Sequence, residues 1–264
     1  MSVENKGTAL VTGASSGIGE VYAERLAARG YDLILVARRL DRLDALARKI
    51  GAATGRKIET LKADLTERAD VATVEKRVAE DASITLLVNN AGISLNGSFL
   101  DNDSDAIEKL IAINITAPTL LTAAAAKAFV ARGHGGIINI ASVLAFAPEM
   151  FDGIYSGSKA HLLNVSQSLA TQLKGTSVRV QAVLPGATRS EIWENSGKDI
   201  DAMLPGMVME TADLVDAALL GYDRGEVVTI PPLADEQQFL TYDAARVAMG
   251  PNLSRKDVAP RYRA

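Results

Sequence analysis

Residues 8–19 read TALVTGASSGIG: a short apolar run, then Thr12, then Gly13, Gly17 and Gly19 opening a helical pattern. A strand that empties into a glycine turn and a helix presents backbone amides at the helix N-terminus, with no side chains between them and an anion. Glycines there serve the tight turn, the close backbone approach and the packing of helix on strand. The spacing is GxxxGxG rather than GxGxxG. Its weight comes from context, because it follows an N-terminal strand and precedes a helix, as a dinucleotide pyrophosphate site requires. Gly13, Ser15, Ser16, Gly17, Ile18 and Gly19 are the candidate residues of that cradle. The plainer alternative is a strand-to-helix turn without a ligand.

Outward from this stretch, strand and helix signals alternate. Short apolar runs at 8–13, 33–37, 58–62, 84–91, 136–142, 178–186 and 227–232 are separated by helical stretches at 17–30, 39–51, 66–81, 104–132, 155–174 and 211–223. Such alternation implies βαβ units and a parallel sheet. The runs are continuously apolar, as for strands covered on both faces. Right-handed crossovers then give a doubly wound α/β sheet of about seven strands. With no Pro/Ser-rich linker and no repeat, residues 1–264 read as one Rossmann-type domain. A cofactor half covers about 6–140, a catalytic and substrate half about 141–250, and a polar tail 251–264. After residue 232 the rhythm stops, and 235–249 reads as a last helix ended by Gly250 and Pro251.

Of the 264 residues, 48% are hydrophobic and 23% charged, with a net charge of -4 and no cysteine. That balance suits a large globular core and provides no basic footprint for nucleic acid. Disulfides and thiolate chemistry are excluded. The two histidines, His134 in RGHGG and His161 on a helix, do not make a structural zinc site. Both read as surface or loop residues. The N-terminus lacks a basic segment followed by an apolar one, and no uncharged apolar run reaches the ~20 residues of a membrane span. The expectation is a cytoplasmic protein with no membrane partner.

The end of the second strand selects the form of the cofactor. An acid there would hold ribose hydroxyls and favour NAD, whereas an arginine accommodates the 2′-phosphate of NADP. The chain has Ala37 at that place, followed at once by Arg38 and Arg39. An arginine fork suits a phosphate, so NADP(H) is favoured over NAD(H). The alternative leaves both arginines as solvated residues at a helix start.

YSGSK sets Tyr155 and Lys159 four residues apart on one helical face. Ser142 ends the preceding strand at the sheet edge where open α/β sheets bind ligands, and Asn114 lies on the helix before it. This set suits carbonyl reduction or alcohol oxidation, where the cofactor handles hydride and the protein handles the proton. A tyrosine with its usual pKa near ~10 is a poor base at neutral pH. The reading is that the Lys159 ammonium, with the positive nicotinamide, lowers it. Tyr155 then acts as general acid/base, and Ser142 polarises the substrate oxygen.

TGASSGIG, NNAG at 89–92, Asn114, Ser142, YSGSK at 155–159 and PG at 185–186 occur in order, and the chain resembles the short-chain dehydrogenase/reductase family, in its shorter single-domain branch. The resemblance covers roughly residues 6–232 and implies a catalytic tetrad of Asn114, Ser142, Tyr155 and Lys159. It further implies that Lys159 holds the nicotinamide ribose and Asp64, followed by Leu65, the adenine. Asn90, Ala91 and Gly92 would line the adenosine side, and the backbone at Pro185, Gly186 and Thr188 would meet the carboxamide. In similar proteins the asparagine holds a water of a proton relay. Gly157 stands where alanine is usual, which suggests a close contact there. The chain after about residue 190 matches no substrate class.

Loop residues Ile93, Leu95, Leu144, Phe146, Met150, Phe151 and Trp193 suggest an apolar small-molecule carbonyl or alcohol, unless they only pack loops onto the core. Arg189 is the one candidate receptor for an anionic substrate. The helices at 104–132 and 155–174 are apolar on more than one face, so a homo-oligomer is expected, and the resemblance implies a homodimer or homotetramer through these two helices. Pro118 raises a separate question, since it cannot donate to the Asn114 carbonyl. That carbonyl is then free for the relay water, or the proline simply kinks the helix. Alternative functions are a 3-oxoacyl-thioester (acyl-carrier-protein) reductase and a non-catalytic NADP-binding redox sensor.

Overall fold

The computed structural model describes residues 5–95, 97, 99–189 and 200–263. They divide into two compact units, one through Pro231 and one from Pro232.

The first unit holds seven strands: β1 (Thr8–Thr12), β2 (Asp32–Ala37), β3 (Ile58–Lys62), β4 (Ile84–Asn89), β5 (Gly135–Ile140), β6 (Val178–Val183) and β7 (Val228–Thr229). Their order is β3-β2-β1-β4-β5-β6-β7, with every neighbouring pair parallel. The order reverses between β1 and β4, and a doubly wound sheet opens its ligand crevice at such a point, beyond the strand C-termini. Helices α1 (Gly17–Ala28), α2 (Leu40–Thr54), α3 (Arg68–Glu80), α4 (Ser104–Ile111), α5 (Ala117–Arg132), α6 (Gly153–Gln172) and α7 (Thr211–Arg224) make the connections. β7 is shorter than the apolar run at 227–232, because it pairs with β6 at only two positions.

Period-two alternation sends successive strand residues to opposite faces. Ala9, Val11, Leu33 and Leu35 pack with Tyr22 and Leu26 of α1, Leu43 of α2 and Val215 of α7. Leu10, Ile34 and Leu87 pack with Val74 of α3 and Leu121 and Phe129 of α5. Burying each such side chain fully stabilises the fold by about 1.5–3 kcal/mol. A buried polar ladder crosses the second face. Asn89 Nδ2 donates to Thr122 Oγ1 (3.0 Å) and Asn139 Oδ1 (2.9 Å), and Asn139 Nδ2 donates to Ser166 Oγ (2.9 Å).

The apolar stretch at 104–132 is not one regular helix. Between α4 and α5, Ala112–Thr116 form a π-helical turn in which the Ala117 N–H bonds the Ala112 carbonyl. Pro118 follows at the start of α5, where its missing N–H leaves the Asn114 carbonyl without an α-helical donor. The irregularity is thus a wide turn before the proline, not a plain proline kink. By length and composition Ser104–Arg132 could cross a membrane, but half of its most apolar window is buried inside the protein, as in a core helix.

The second unit carries α8 (Glu236–Ala248), capped by Asp235, which accepts from the Gln237 N–H. Among its described residues none is buried.

Candidate active site

Thr12 closes β1 and ties it to β4. Its Oγ1 donates to the Val88 carbonyl (3.3 Å) and accepts from the N–H groups of Asn90 (3.0 Å) and Ala91 (3.1 Å). Asn90 Nδ2 donates back to the carbonyls of Thr12 (3.0 Å) and Gly13 (3.2 Å). The glycine turn and the NNAG segment therefore form one unit at the β1–β4 switch. Gly13 has φ +66°, and a β-carbon at Gly19 would stand 2.4 Å from the Gly13 carbonyl oxygen, so no other residue fits.

Ser16 precedes α1 without capping it. Its hydroxyl and that of Ser15 accept instead from Arg39 Nη2, at 3.0 and 3.2 Å. The α1 amides and the glycine turn, with the Arg39 guanidinium beside it, fit a dinucleotide. Arg38 is 60% exposed and lies 3.9 Å from Asp64 Oδ2. Burial disfavours the Asp64 carboxylate, but hydrogen bonds from Thr66 and the charges of Arg38 and Lys109 outweigh it and hold the acid below its ordinary range. The Leu65 side chain packs in the core, leaving only its main chain for a ligand. Ile18 also packs against the core.

Ser142, just beyond β5, faces the Tyr155 phenol, and its Oγ accepts from the Leu144 N–H (3.2 Å). Asp152 caps α6 by accepting from the N–H groups of Ile154 (3.2 Å) and Tyr155 (3.1 Å), which fixes the first turn that carries Tyr155. Lys159, one turn on, is 5% exposed. Its Nζ donates to the Ile140 carbonyl (2.9 Å) and lies 5.6 Å from the Tyr155 ring centre. Asn114 comes from the π-turn. Its Oδ1 accepts from the Ile93 N–H, and its Nδ2 donates to the Ile93 carbonyl, both at 2.9 Å, and to Ser158 Oγ at 3.1 Å. The structure thus brings all four residues to the C-terminal edge of β4 and β5.

The electrostatics differ from the sequence-based expectation. Burial pushes the Tyr155 phenol up to about 12, only partly opposed by the Ser142 hydrogen bond. Burial also brings Lys159 down to about 8. Without cofactor, desolvation is the largest influence on both groups, and the ammonium donates to the Ile140 carbonyl. The close contact suggested for Gly157 is not found either, since a β-carbon there would meet nothing within 4 Å.

On the substrate side, Leu144, Phe146, Phe151 and Ile93 are half-buried and Leu95 is buried, whereas Met150 is 70% exposed. Trp193 lies outside the described residues. Pro185 accepts from the Val143 N–H (3.0 Å), and Thr188 Oγ1 donates to the Gly186 carbonyl (3.0 Å). Arg189 is not an open anion receptor. Its guanidinium grips Asp201 at 2.7 and 3.0 Å and Glu210 at 2.9 Å. His161, read as a surface residue, is half-buried, and its Nε2 lies 2.9 Å from Thr119 Oγ1 on α5. Sequence reasoning gave Ser158 no role, and its position beside Lys159 was the only signal available.

A family model described as short chain dehydrogenase matches residues 7–201. The structure is similar to a short-chain dehydrogenase from Sphingobium yanoikuyae in complex with NADPH. That protein is 50% identical with TM-score 0.93, over 97% of this chain and 100% of the other. A bulky-bulky ketone specific alcohol dehydrogenase from Comamonas testosteroni is 44% identical with TM-score 0.90, over 98% and 100% of the two chains. Human 17-beta-hydroxysteroid dehydrogenase type 3 is 35% identical over 181 residues, 68% of this chain and 58% of that protein. The chain matches about three fifths of the length of that relative and of a similar protein from Pseudocercospora fijiensis, 58% and 60%.

Proposed function

We propose, from the premise that this chain belongs to the short-chain dehydrogenase family, that it interconverts a bulky, apolar ketone and its alcohol with NADP(H). The observation that carries the reading is the Tyr155 phenol facing Ser142, with the buried Lys159 Nζ 5.6 Å from its ring centre, at the edge of the glycine cradle. When bound, the cofactor supplies or accepts the hydride. Gly13, Ser15, Ser16 and Gly17 would hold its pyrophosphate, Arg38 and Arg39 its additional phosphate, and Lys159 its nicotinamide ribose.

In reduction, the neutral phenol of Tyr155 gives its proton to the substrate oxygen. Ser142 directs a hydrogen bond at the same oxygen and steadies its developing charge. Lys159, protonated below about pH 8, stabilises the phenolate that remains. Asn114 fixes the segment at Ile93 against the π-turn, and a water on its carbonyl would return the proton through Lys159. In oxidation the same groups run in reverse. The half-buried Phe146 and Phe151 and the ketone specificity named for the Comamonas protein support an apolar, bulky substrate. Exposed Val130 beside the alanines of α5 supports self-association as a dimer or tetramer.

The test is NADPH oxidation, followed by absorbance, across ketones, aldehydes, quinones and acyl thioesters. Bulky ketones are expected to turn over fastest. A preference for acyl thioesters would move the assignment to a 3-oxoacyl-thioester reductase. Tyr155→Phe is expected to keep the NADPH Kd and lose at least ~100-fold in kcat. Full activity in that variant would refute the mechanism, and binding without turnover by the wild type would leave a sensor.

A further inference from the structure

We infer that Ser158 is a positioning residue that locks Asn114 to the helix bearing Tyr155 and Lys159. This rests on the oxidoreductase reading above. Ser158 and Asn114 are each 1% exposed, so neither can exchange a lost partner for bulk water. The Ser158 hydroxyl has one proton, and it goes to the Tyr155 carbonyl at 2.7 Å. The oxygen is then an acceptor for Asn114 Nδ2 at 3.1 Å. The other Nδ2 hydrogen and Oδ1 are committed to the backbone of Ile93. Every donor of the amide is thereby used, and three separate segments meet on one side chain: the strand-end loop at Ile93, the π-turn and α6.

The consequence reaches Lys159 through a shared space. A β-carbon placed on Gly92 would stand 3.1 Å from Asn114 Oδ1 and 3.5 Å from Lys159 Nζ. The amide oxygen and the ammonium therefore border the same small volume. An oxygen held there favours the charged lysine. Without the Ser158 oxygen, Asn114 keeps its bonds to Ile93 but loses its tie to α6. A buried N–H is then left without an acceptor, and the amide is no longer tied to the helix that carries the ammonium.

The test uses the full chain with NADPH and the best ketone of the panel. Ser158→Ala is expected to lower kcat about tenfold, the scale of one buried hydrogen bond lost from a reacting assembly. KM and the NADPH Kd should stay within about twofold, and the alkaline limb of kcat should move to lower pH. Ser158→Cys, close in size but a weak acceptor, should behave the same, and Ser158→Thr should restore activity. In an Asn114→Ala background, Ser158→Ala should cost nothing further. Wild-type kcat and pH profile in Ser158→Ala would overturn the inference, as would an undiminished loss in the Asn114→Ala background. A wild-type chain that reduces no carbonyl overturns the functional reading instead, which the first assay of the series reveals.

Discussion

Replacing Lys159 by methionine removes an ammonium that the fold buries and satisfies only at the Ile140 carbonyl. The folded chain holds this group near pKa 8, against an ordinary 10.5. At about 1.4 kcal/mol for each decade of pH, the folded state binds that proton about 3 kcal/mol less well than the unfolded chain does. Below about pH 8 both states are protonated, and the full cost is present. Between pH 8 and 10.5 the unfolded chain binds more protons, so stability rises with pH there. By pH 10 only about 1 kcal/mol of the cost remains. Methionine has no such cost, but it removes a donor from the Ile140 carbonyl, a penalty of about 1–3 kcal/mol that does not vary with pH. Denaturant unfolding of both proteins without cofactor, at pH 7 to 10, measures the difference. The stability of Lys159→Met relative to wild type should fall by about 2 kcal/mol over that range. The Tyr155 phenol, raised to about 12, lowers stability above pH 10 in both proteins alike. A difference that stays constant from pH 7 to 10 would refute the claim that Lys159 is buried as a strained cation.

Other substitutions probe the remaining parts of the site. Arg39→Ala should raise KM for NADPH about 10- to 100-fold, the worth of charge-assisted bonds to a phosphate, while KM for NADH stays unchanged. Equal rises for both cofactors would remove the phosphate role. Gly157→Ala should gain up to ~1 kcal/mol of helix propensity, read as a Tm higher by ~2–4 °C, with kcat unchanged. Lost activity there would show that the empty space seen above Gly157 is used. Pro118→Ala restores an N–H opposite the Asn114 carbonyl, allowing the wide turn to close and swing the Asn114 side chain by up to ~100°. Turnover should fall with stability within ~1 kcal/mol, and unchanged turnover would detach the turn from the chemistry.

The strands and the glycine turn were legible because each depends on local chemistry. β-branched runs announce buried strands, and Gly13 and Gly19 are required by contacts that only a missing β-carbon relieves. Tyr155 and Lys159 were legible from helical spacing. Their charge states were not, because spacing counts neighbouring charges and burial is a property of the assembled fold. The π-turn was hidden in the same way. In TLLTAAAAKAFVA almost every helical face is apolar, so one additional residue leaves no break in the pattern. Without the turn, the pairing of Asn114 with Ser158 and of Thr119 with His161 has no signature. Arg189 read as a free cation because its partners Asp201 and Glu210 stand 12 and 21 residues further along the chain.

The wide turn at Ala112–Thr116 also bears on how such a site comes into being. A π-turn is an α-turn that has taken in one more residue. Leu121, Ala125 and Phe129 of α5 are all fully buried, and the additional residue lies upstream of them. A helix that only covers a sheet and one that also offers Asn114 therefore differ by one residue of chain length at this turn. Deleting one codon within 112–116, with α5 left in register, is the step from the second to the first. A collection of point substitutions would never sample that step, so libraries meant to build or erase this chemistry need to vary chain length at this turn.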